Sequence, residues 1–298
     1  MINKYLRIIR YHFYRFLYRN SPQKWAGVLY EHLLGKKIDW EHPKDINEKI
    51  NWLKFNHDTT LWTRLSDKYL MREYVESLGY ADNLPILYGK WDRAEDIQWE
   101  RLPDSFVMKV NNGSGDVVIC KDKSQLDIPA VQAKMKELLQ LKFGDRLVEP
   151  HYNNIKPCVI AEEFLNPKSQ NVVSDVLVDY KIWVLSGKAE YILVCSDRTK
   201  SSLCLSIYDK DWNFYPQYTI ETSHSTTTTN KLPKPQSLNK MLEMAVRLAG
   251  NEPQVRVDFY EIGGKPYVGE LTFTSCAGFH DYYSQEFLDI LGSKCAIQ

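Results

Sequence analysis

No two of the six cysteines, at 120, 158, 195, 204, 276 and 295, are spaced C-x-x-C, which excludes that redox motif. No run of about 18 apolar residues occurs, so nothing in the sequence is expected to span a bilayer. Net charge is absent too. The 38 Lys and Arg balance 38 Asp and Glu, leaving no overall field to favour nucleic acid. Arginines interrupt every apolar run near the start, so no secretory signal is read, and a reduced, cytoplasmic chain with free thiols is expected. Apart from a short threonine run there is no low complexity, and no internal repeat. What is present suffices for two or three packed units: 298 residues, 44% of them hydrophobic.

Acids are also missing before Glu31. The segment MINKYLRIIRYHFYRFLYRN reads as one basic amphipathic helix. At about 100° per residue, Tyr5, Leu6, Ile9, Phe13, Phe16 and Leu17 share an arc about 120° wide, with Lys4, Arg7, Arg10, His12, Arg15 and Arg19 on the rest. Such a helix either lies on an anionic membrane surface or docks its apolar stripe on the protein body. Residues 1–40 form this basic region, and 41–84 a helical part.

In PKDINEKINWLKF, Asp45 and Glu48 make a capping box, followed by the stripe Ile46, Ile50, Leu53. A further helix is expected through TTLWTRLSDKYLMREYVESLG, ending near Gly79. Within it Lys68 reads by default as a solvated helical lysine. Strands follow at 105–110, 117–120 and 158–164, with a helix at 130–142 before the last. DYKIWVL and AEYILVCS pair around Ser186-Gly187, and SLCLSIYDKDWNFYP continues the sheet. Residues 222–237 read as a polar, mobile loop, 237–249 as a helix, and 255–273 as a last hairpin. The class is α+β with antiparallel hairpins.

Two stretches carry chemistry. In SFVMKVNNGSG, period-two alternation puts Phe106, Met108 and Val110 on one face and Lys109 on the other. Lys109 is then either an edge-strand guard against aggregation or a lysine aimed at phosphates under the loop Asn112–Gly115. In VRVDFYEIGGKPYVGELTF, a two-residue Gly263-Gly264 turn would pair Val257 with Glu270. A three-residue loop, Gly263 to Lys265, keeps one face apolar, with Val257 opposite Leu271 and Phe259 opposite Gly269. The hydrophobic pattern selects the second. It sets Asp258 opposite Glu270 and Arg256 opposite Thr272. Opposed carboxylates roughly 5 Å apart are either water-screened surface acids or the oxygen ligands of Mg²⁺ or Mn²⁺.

Taken in order, DINEKINWLK, LSDKYLMREYV, LPDSFVMKVNNGSG, NNIKPCVIAEEFL, DYKIWVLSGK and VRVDFYEIGGKPYVGELTFT resemble the ATP-grasp superfamily, and within it the teichuronopeptide-biosynthesis (TupA-like) family, over roughly residues 40 to 280. The resemblance implies an ATP-grasp fold: two α+β lobes with antiparallel sheets gripping ATP, the small lobe with the Gly-rich loop at 85–165 and the large lobe with the metal site at 166–298. It implies that Lys68 and Lys109 contact ATP phosphates and that Asn112, Gly113, Ser114 and Gly115 close over them. Glu162, Glu163 and Leu165 would read the adenine, Asp258 and Glu270 would hold Mg²⁺ or Mn²⁺, and Arg256 would meet the transferred phosphate. Thr272 stands where superfamily members often have Asn, and Lys181 and Arg198 are further candidates for phosphate or carboxylate contacts. Cys276, in TSCAGF, is either a pocket filler or a nucleophile.

The implied activity is an ATP-dependent carboxylate–amine ligase working through an acyl phosphate. Its partners would be a small-molecule or glycan carboxylate and an amino-acid amine, in surface-polysaccharide biosynthesis, without nucleic acid. Residues 1–20 would then contact the inner face of the cytoplasmic membrane. Alternatives are a glycosyltransferase, on the strength of Asp209-Lys210-Asp211, an ATP-dependent sugar kinase on the same fold, or a nucleotide-binding module without turnover.

Overall fold

A computed structural model describes residues 13, 16–17, 20–172, 174–199 and 202–297. The basic helix read over residues 1–20 falls, apart from Phe13, Phe16, Leu17 and Asn20, outside the described residues. The first long helix described is α1 (Pro22–Leu34), whose Trp25, Ala26, Leu29 and Tyr30 pack against Val148, Ala277 and Phe279. The capping box at α2 (Ile46–Asn56) forms as the sequence requires, with Glu48 N donating to Asp45 and the Glu48 side chain accepting from Asp45 N.

The single helix expected across residues 59–79 is two: α3 (Thr60–Ser66) and α4 (Leu70–Ser77). The break falls at Asp67-Lys68 for an identifiable reason. Asp67 is extended, and its carboxylate accepts from Tyr69 N at 2.8 Å and Leu70 N at 3.2 Å, so it starts a new helix. Lys68 N meanwhile donates to Asn111 O at 3.1 Å, which ties the break to the Gly-rich loop. Lys68 is therefore not a solvated helical lysine.

The first sheet has four strands, β1 (Leu87–Trp91), β2 (Phe106–Val110), β3 (Val117–Cys120) and β4 (Val159–Glu163), in the order β1-β4-β2-β3. Its buried face carries Phe106, Met108 and Val110, covered by Val131, Met135 and Leu138 of α5 (Ile128–Leu138). That helix ends short of the expected residue 142. Each buried apolar side chain contributes about 2 kcal/mol, so a one-residue slip of β2 is costly and Lys109 is held on the opposite face. Because β2 lies between β4 and β3, Lys109 is not an edge-strand residue.

The second sheet has six strands, in the order β10-β9-β5-β6-β7-β8. They are β5 (Asp179–Leu185), β6 (Lys188–Ser196), β7 (Leu203–Asp209), β8 (Ser225–Thr227), β9 (Gln254–Ile262) and β10 (Lys265–Thr272). Strand β8, which pairs parallel to β7, replaces part of the loop expected at 222–237. Helix α6 (Leu238–Ala249) packs on β9 and β5, and α7 (Gln285–Lys294) closes the described chain against α2. The Asp209-Lys210-Asp211 stretch is a turn, with Asp209 accepting from Asp211 N, Asn213 N and Tyr215 Oη.

The β9–β10 hairpin departs from its expected turn yet reaches the expected pairing. The loop is the two-residue one, Gly263-Gly264, with φ of 58° and 75°, values that favour glycine. Ile262 pairs with Lys265 and Phe259 with Val268, not Gly269. A bulge at Gly269 then shifts the register by one, so that Asp258 faces Glu270, Val257 faces Leu271 and Arg256 faces Thr272. A Cβ on Gly269 would stand 3.1 Å from the Tyr260 ring. The apolar face wins in both accounts; the extra residue sits in the strand instead of the turn.

Candidate functional site

Between the two sheets lies a cleft of about 860 Å³, in the range of small-molecule sites. Lys68, Lys109, Asn112, Gly113, Ser114, Gly115, Glu162, Glu163, Leu165, Lys181, Arg198, Asp258 and Glu270 all line it. These residues come from seven segments spread over more than 200 positions, and the fold brings them to one opening.

On the first sheet, Lys109 Nζ lies 2.5 Å from Glu162 Oε2, and Arg72 Nη1 donates to Glu162 Oε1 at 2.9 Å. Burial alone would raise the Glu162 carboxyl, but Lys109 and Arg72 outweigh it and hold it below the usual range. Glu163, beside it, accepts from Ile86 N at 3.1 Å. Val117 and Ile119 of β3 are exposed in the same cleft, with Leu141 and Phe143 across from them. These side chains make an apolar slot within the cleft. Lys68 Nζ bridges the lobes: it donates to Gly113 O at 2.6 Å and stands 3.5 Å from Glu270 Oε2.

On the second sheet, Lys181 Nζ is 2.5 Å from Asp258 Oδ2 and 3.5 Å from Asp179 Oδ1, while Arg198 Nη2 is 2.6 Å from Asp179 Oδ2. Burial would lower Lys181, but Asp179 and Asp258 lift it above its ordinary value, so it stays a cation. Glu270 is the mirror case. Burial opposes its ionisation, yet Lys68, Lys181, Arg256 and Lys109 hold it down to about 2.

Arg256 and Thr272 do not line the cleft; they lie behind the carboxylates. Arg256 grips Asp258 bidentately, Nε to Oδ1 at 2.7 Å and Nη2 to Oδ2 at 2.8 Å, and donates to Ser275 Oγ at 2.5 Å. Thr272 Oγ1 is 3.4 Å from both Glu270 Oε1 and Arg256 Nη2. Cys276 is exposed, has φ +47° and holds its Sγ 3.0 Å from Tyr282 Oη; desolvation of the sulfur by its surroundings outweighs Arg256 and pushes the thiol's pKa up, the opposite of an activated nucleophile.

Six cations (Lys68, Arg72, Lys109, Lys181, Arg198, Arg256) thus interleave with four carboxylates (Glu162, Asp179, Asp258, Glu270). With Lys121 and the further carboxylates Asp116, Glu163 and Asp175 of the lining added, the cleft carries no positive excess. Among the described residues no group of three or more His, Cys, Asp or Glu is placed to hold a metal ion. A hard divalent cation fits the pair nonetheless. Glu270 is ionised, and its contacts to Lys68 and Arg256 are long, at 3.5 and 3.7 Å. Mg²⁺ needs only one or two carboxylates when phosphates and water complete its shell. Asp258 is the more committed partner, since Arg256 and Lys181 already occupy both its oxygens.

Two residues of this network escaped the sequence reading. Asp179 carried a weak signal, since it alternates with Lys181 and so shares its face of β5. Arg72 carried none, because its partner Glu162 is 90 positions away.

Comparison with known proteins gives one family match, described as TupA-like ATPgrasp, over residues 48–296. Curated proteins give no match. Among solved structures, D-alanine–D-alanine ligase from Bacillus anthracis complexed with ATP aligns at 15% identity and TM-score 0.42, over 77% of this chain and 58% of that one. The ADP complex of purK, N5-carboxyaminoimidazole ribonucleotide synthetase, aligns at 14% identity and 0.42, over 76% and 50%. ATP-grasp ligase PsnB with minimal precursor, Mg and ADP aligns at 13% and 0.39, over 84% and 66%. The chain spans 58% and 50% of the length of the first two. At these scores the three likenesses add no weight, and the assignment stands on the family match.

Proposed function

Because the chain belongs to the TupA-like ATP-grasp family, we propose that it is an ATP-dependent carboxylate–amine ligase. A substrate carboxylate oxygen attacks the γ-phosphorus of ATP and ADP leaves. The amine then attacks the acyl carbon of the resulting acyl phosphate, and inorganic phosphate leaves as the amide forms. The carboxylate we assign to a uronic acid of a capsular or cell-wall polysaccharide, and the amine to an amino acid.

The observation that carries this reading is the convergence of Lys68, Lys109, Asp258 and Glu270 on one cleft, beside its apolar slot. Lys68 and Lys109 reach the phosphates as point charges, and the backbone of Asn112–Gly115 covers them. Glu162, fixed by Lys109 and Arg72, orients Lys109, while Glu163 and Leu165 border the slot. Mg²⁺, or Mn²⁺ by the same hard-oxygen chemistry, would be held by Asp258 and Glu270 with the Thr272 hydroxyl near, and supplies charge neutralisation at phosphate oxygens. Lys181, buried between Asp179 and Asp258, and the more exposed Arg198 beside Asp179 would meet the acceptor carboxylate. No side chain has to become a nucleophile; orientation and charge do the chemistry.

No helix among the described residues is long and apolar enough to cross a membrane. The basic, aromatic segment 1–20 supports contact with an anionic leaflet, where lipid-linked glycan precursors would meet the cleft. The decisive assay incubates the protein with ATP, Mg²⁺ and a panel of uronic acids and amino acids. Ligation predicts ADP release that needs both acceptors, and an amide product by mass spectrometry. Release with one hydroxylated acceptor alone would mark a kinase, dependence on a nucleotide sugar a glycosyltransferase, and no turnover a binding module.

A further inference from the structure

Helix α2 is built in a way its packing alone does not require. Asn47, Asn51 and Lys54, at i, i+4 and i+7, form a buried polar stripe where an apolar one would hold the helix at lower desolvation cost. All three read the backbone of one segment. Asn47 Nδ2 donates to His280 O at 3.0 Å, Asn51 Nδ2 to Gly278 O at 2.9 Å and Lys54 Nζ to Ala277 O at 2.7 Å. That segment needs holding, because Cys276, Ala277 and Gly278 have φ of 47°, 51° and 72° in succession, and two of them are not glycine. Left-handed backbone at a non-glycine residue costs of order 1 kcal/mol or more and persists only where its surroundings enforce it.

The segment carries Ser275 and His280, both fully buried. Their hydrogen bonds have a single consistent direction. Asn47 donates to His280 O and accepts from His280 N at 2.9 Å, so its amide orientation is fixed by two backbone groups. Its oxygen also lies 2.8 Å from His280 Nδ1, which must therefore carry the proton. Burial, with Arg256 nearby, holds His280 down to about 3, so the ring is neutral and Nε2 is an acceptor. Ser275 Oγ, 2.9 Å from Nε2, donates to it and presents its lone pairs to Arg256 Nη1 at 2.5 Å. The third nitrogen of the guanidinium is thereby anchored, while the other two hold Asp258.

We propose that Asn47, His280 and Ser275 are positioning residues that set the plane of the Arg256 guanidinium against the Asp258–Glu270 pair, so that helix α2, outside both sheets, helps to aim the reaction centre. The role of that centre rests on the ligase reading above; the relay itself rests on hydrogen-bond geometry.

The full-length protein tests it in two ways. Multiple-bond ¹⁵N–¹H NMR at pH 7, with the signal identified by its loss in His280→Gln, should show His280 as the neutral Nδ1–H tautomer. In Mg²⁺-dependent ADP release with the acceptor panel, Ser275→Ala and His280→Leu should lower kcat by about tenfold or more while KM for MgATP stays within about twofold. His280→Gln, whose amide oxygen can accept at the place of Nε2, should stay within about threefold of wild type. An Nε2–H tautomer or a cationic ring overturns the proposal. So do unchanged kcat in folded Ser275→Ala, or His280→Gln as impaired as His280→Leu. If His280→Leu does not fold, Ser275→Ala, which loses one oxygen atom, and the tautomer decide. A wild-type protein that turns over no ATP overturns the ligase reading instead, and the tautomer then decides the relay alone.

Discussion

Asp258 and Glu270 face each other on neighbouring strands although the two-residue turn between those strands would leave them one step out of register; the bulge at Gly269 restores the pairing. The extra residue sits beside the carboxylate it repositions. Bulges are used elsewhere to re-aim a side chain, and here the re-aimed side chain is Glu270, turned toward Lys68.

Gly269 is accordingly the residue on which the hairpin geometry depends. A side chain there meets the Tyr260 ring, with the first carbon already at 3.1 Å. Gly269→Val should destabilise the protein by about 1–3 kcal/mol, as overpacking does, and should weaken MgATP binding more than Gly263→Asn at the turn. Urea unfolding and calorimetric titration of both variants check this; equal binding in the two would separate the bulge from the site.

Lys109 and Arg72 share Glu162 but not a task. Lys109→Ala should reduce MgATP affinity by about tenfold or more, taking one charge-assisted contact at about 1.5–3 kcal/mol, while the fold survives because Arg72 still holds Glu162 at 2.9 Å. Arg72→Met should cost more stability, about 3 kcal/mol, since it removes the donors to both Glu162 Oε1 and the Pro85 carbonyl and leaves the buried carboxylate to Lys109 alone. Thermal unfolding and ATP titration on the same two variants separate the effects. A Lys109→Ala protein that binds like wild type would remove this lysine from the site.

The Glu162 carboxyl gives a pH signature. Its folded pKa lies below the ordinary glutamate value because Lys109 and Arg72 overcome burial. A depressed carboxyl contributes stability that is complete above the unfolded value and lost as pH falls through the folded one. The stability difference between wild type and Glu162→Gln should therefore be flat above about pH 5 and shrink as pH falls below about 4.5. Denaturant titrations between pH 7 and pH 3 measure it, and a difference independent of pH would contradict the pairing.

Residues 1–20 give a separate outcome. Their deletion should release the protein from vesicles containing anionic lipid while leaving Mg²⁺-dependent ADP release intact. Precipitation of the truncated protein would instead assign the apolar stripe to the protein body.

Much of this was readable from period-two and period-3.6 patterning, because burial enforces those periods. Phe106, Met108 and Val110 fix the orientation of Lys109, and the apolar face of 255–273 fixes the pairing of Asp258 with Glu270 although the turn has two residues and not three. Patterning failed where one polar contact overrode a local preference. The Asp67 cap splits a helix that propensity alone would continue, and it delivers Lys68 to the loop. It failed again for pairs distant in sequence: Arg72 with Glu162, and Asn47 with His280, are defined only by the fold. Arg256 was placed on the correct face, but no pattern could foretell that Asp258 and Ser275 would hold it behind the cleft.

The central claim is that Asp258 and Glu270 act on the same nucleotide as Lys68 and Lys109. Calorimetric titration of ATP with and without Mg²⁺, into wild type and Glu270→Gln, tests it most directly. Wild type should bind MgATP more tightly than metal-free ATP, and Glu270→Gln should lose that difference. Equal affinity for the two forms in wild type, or no nucleotide binding at all, would contradict the account.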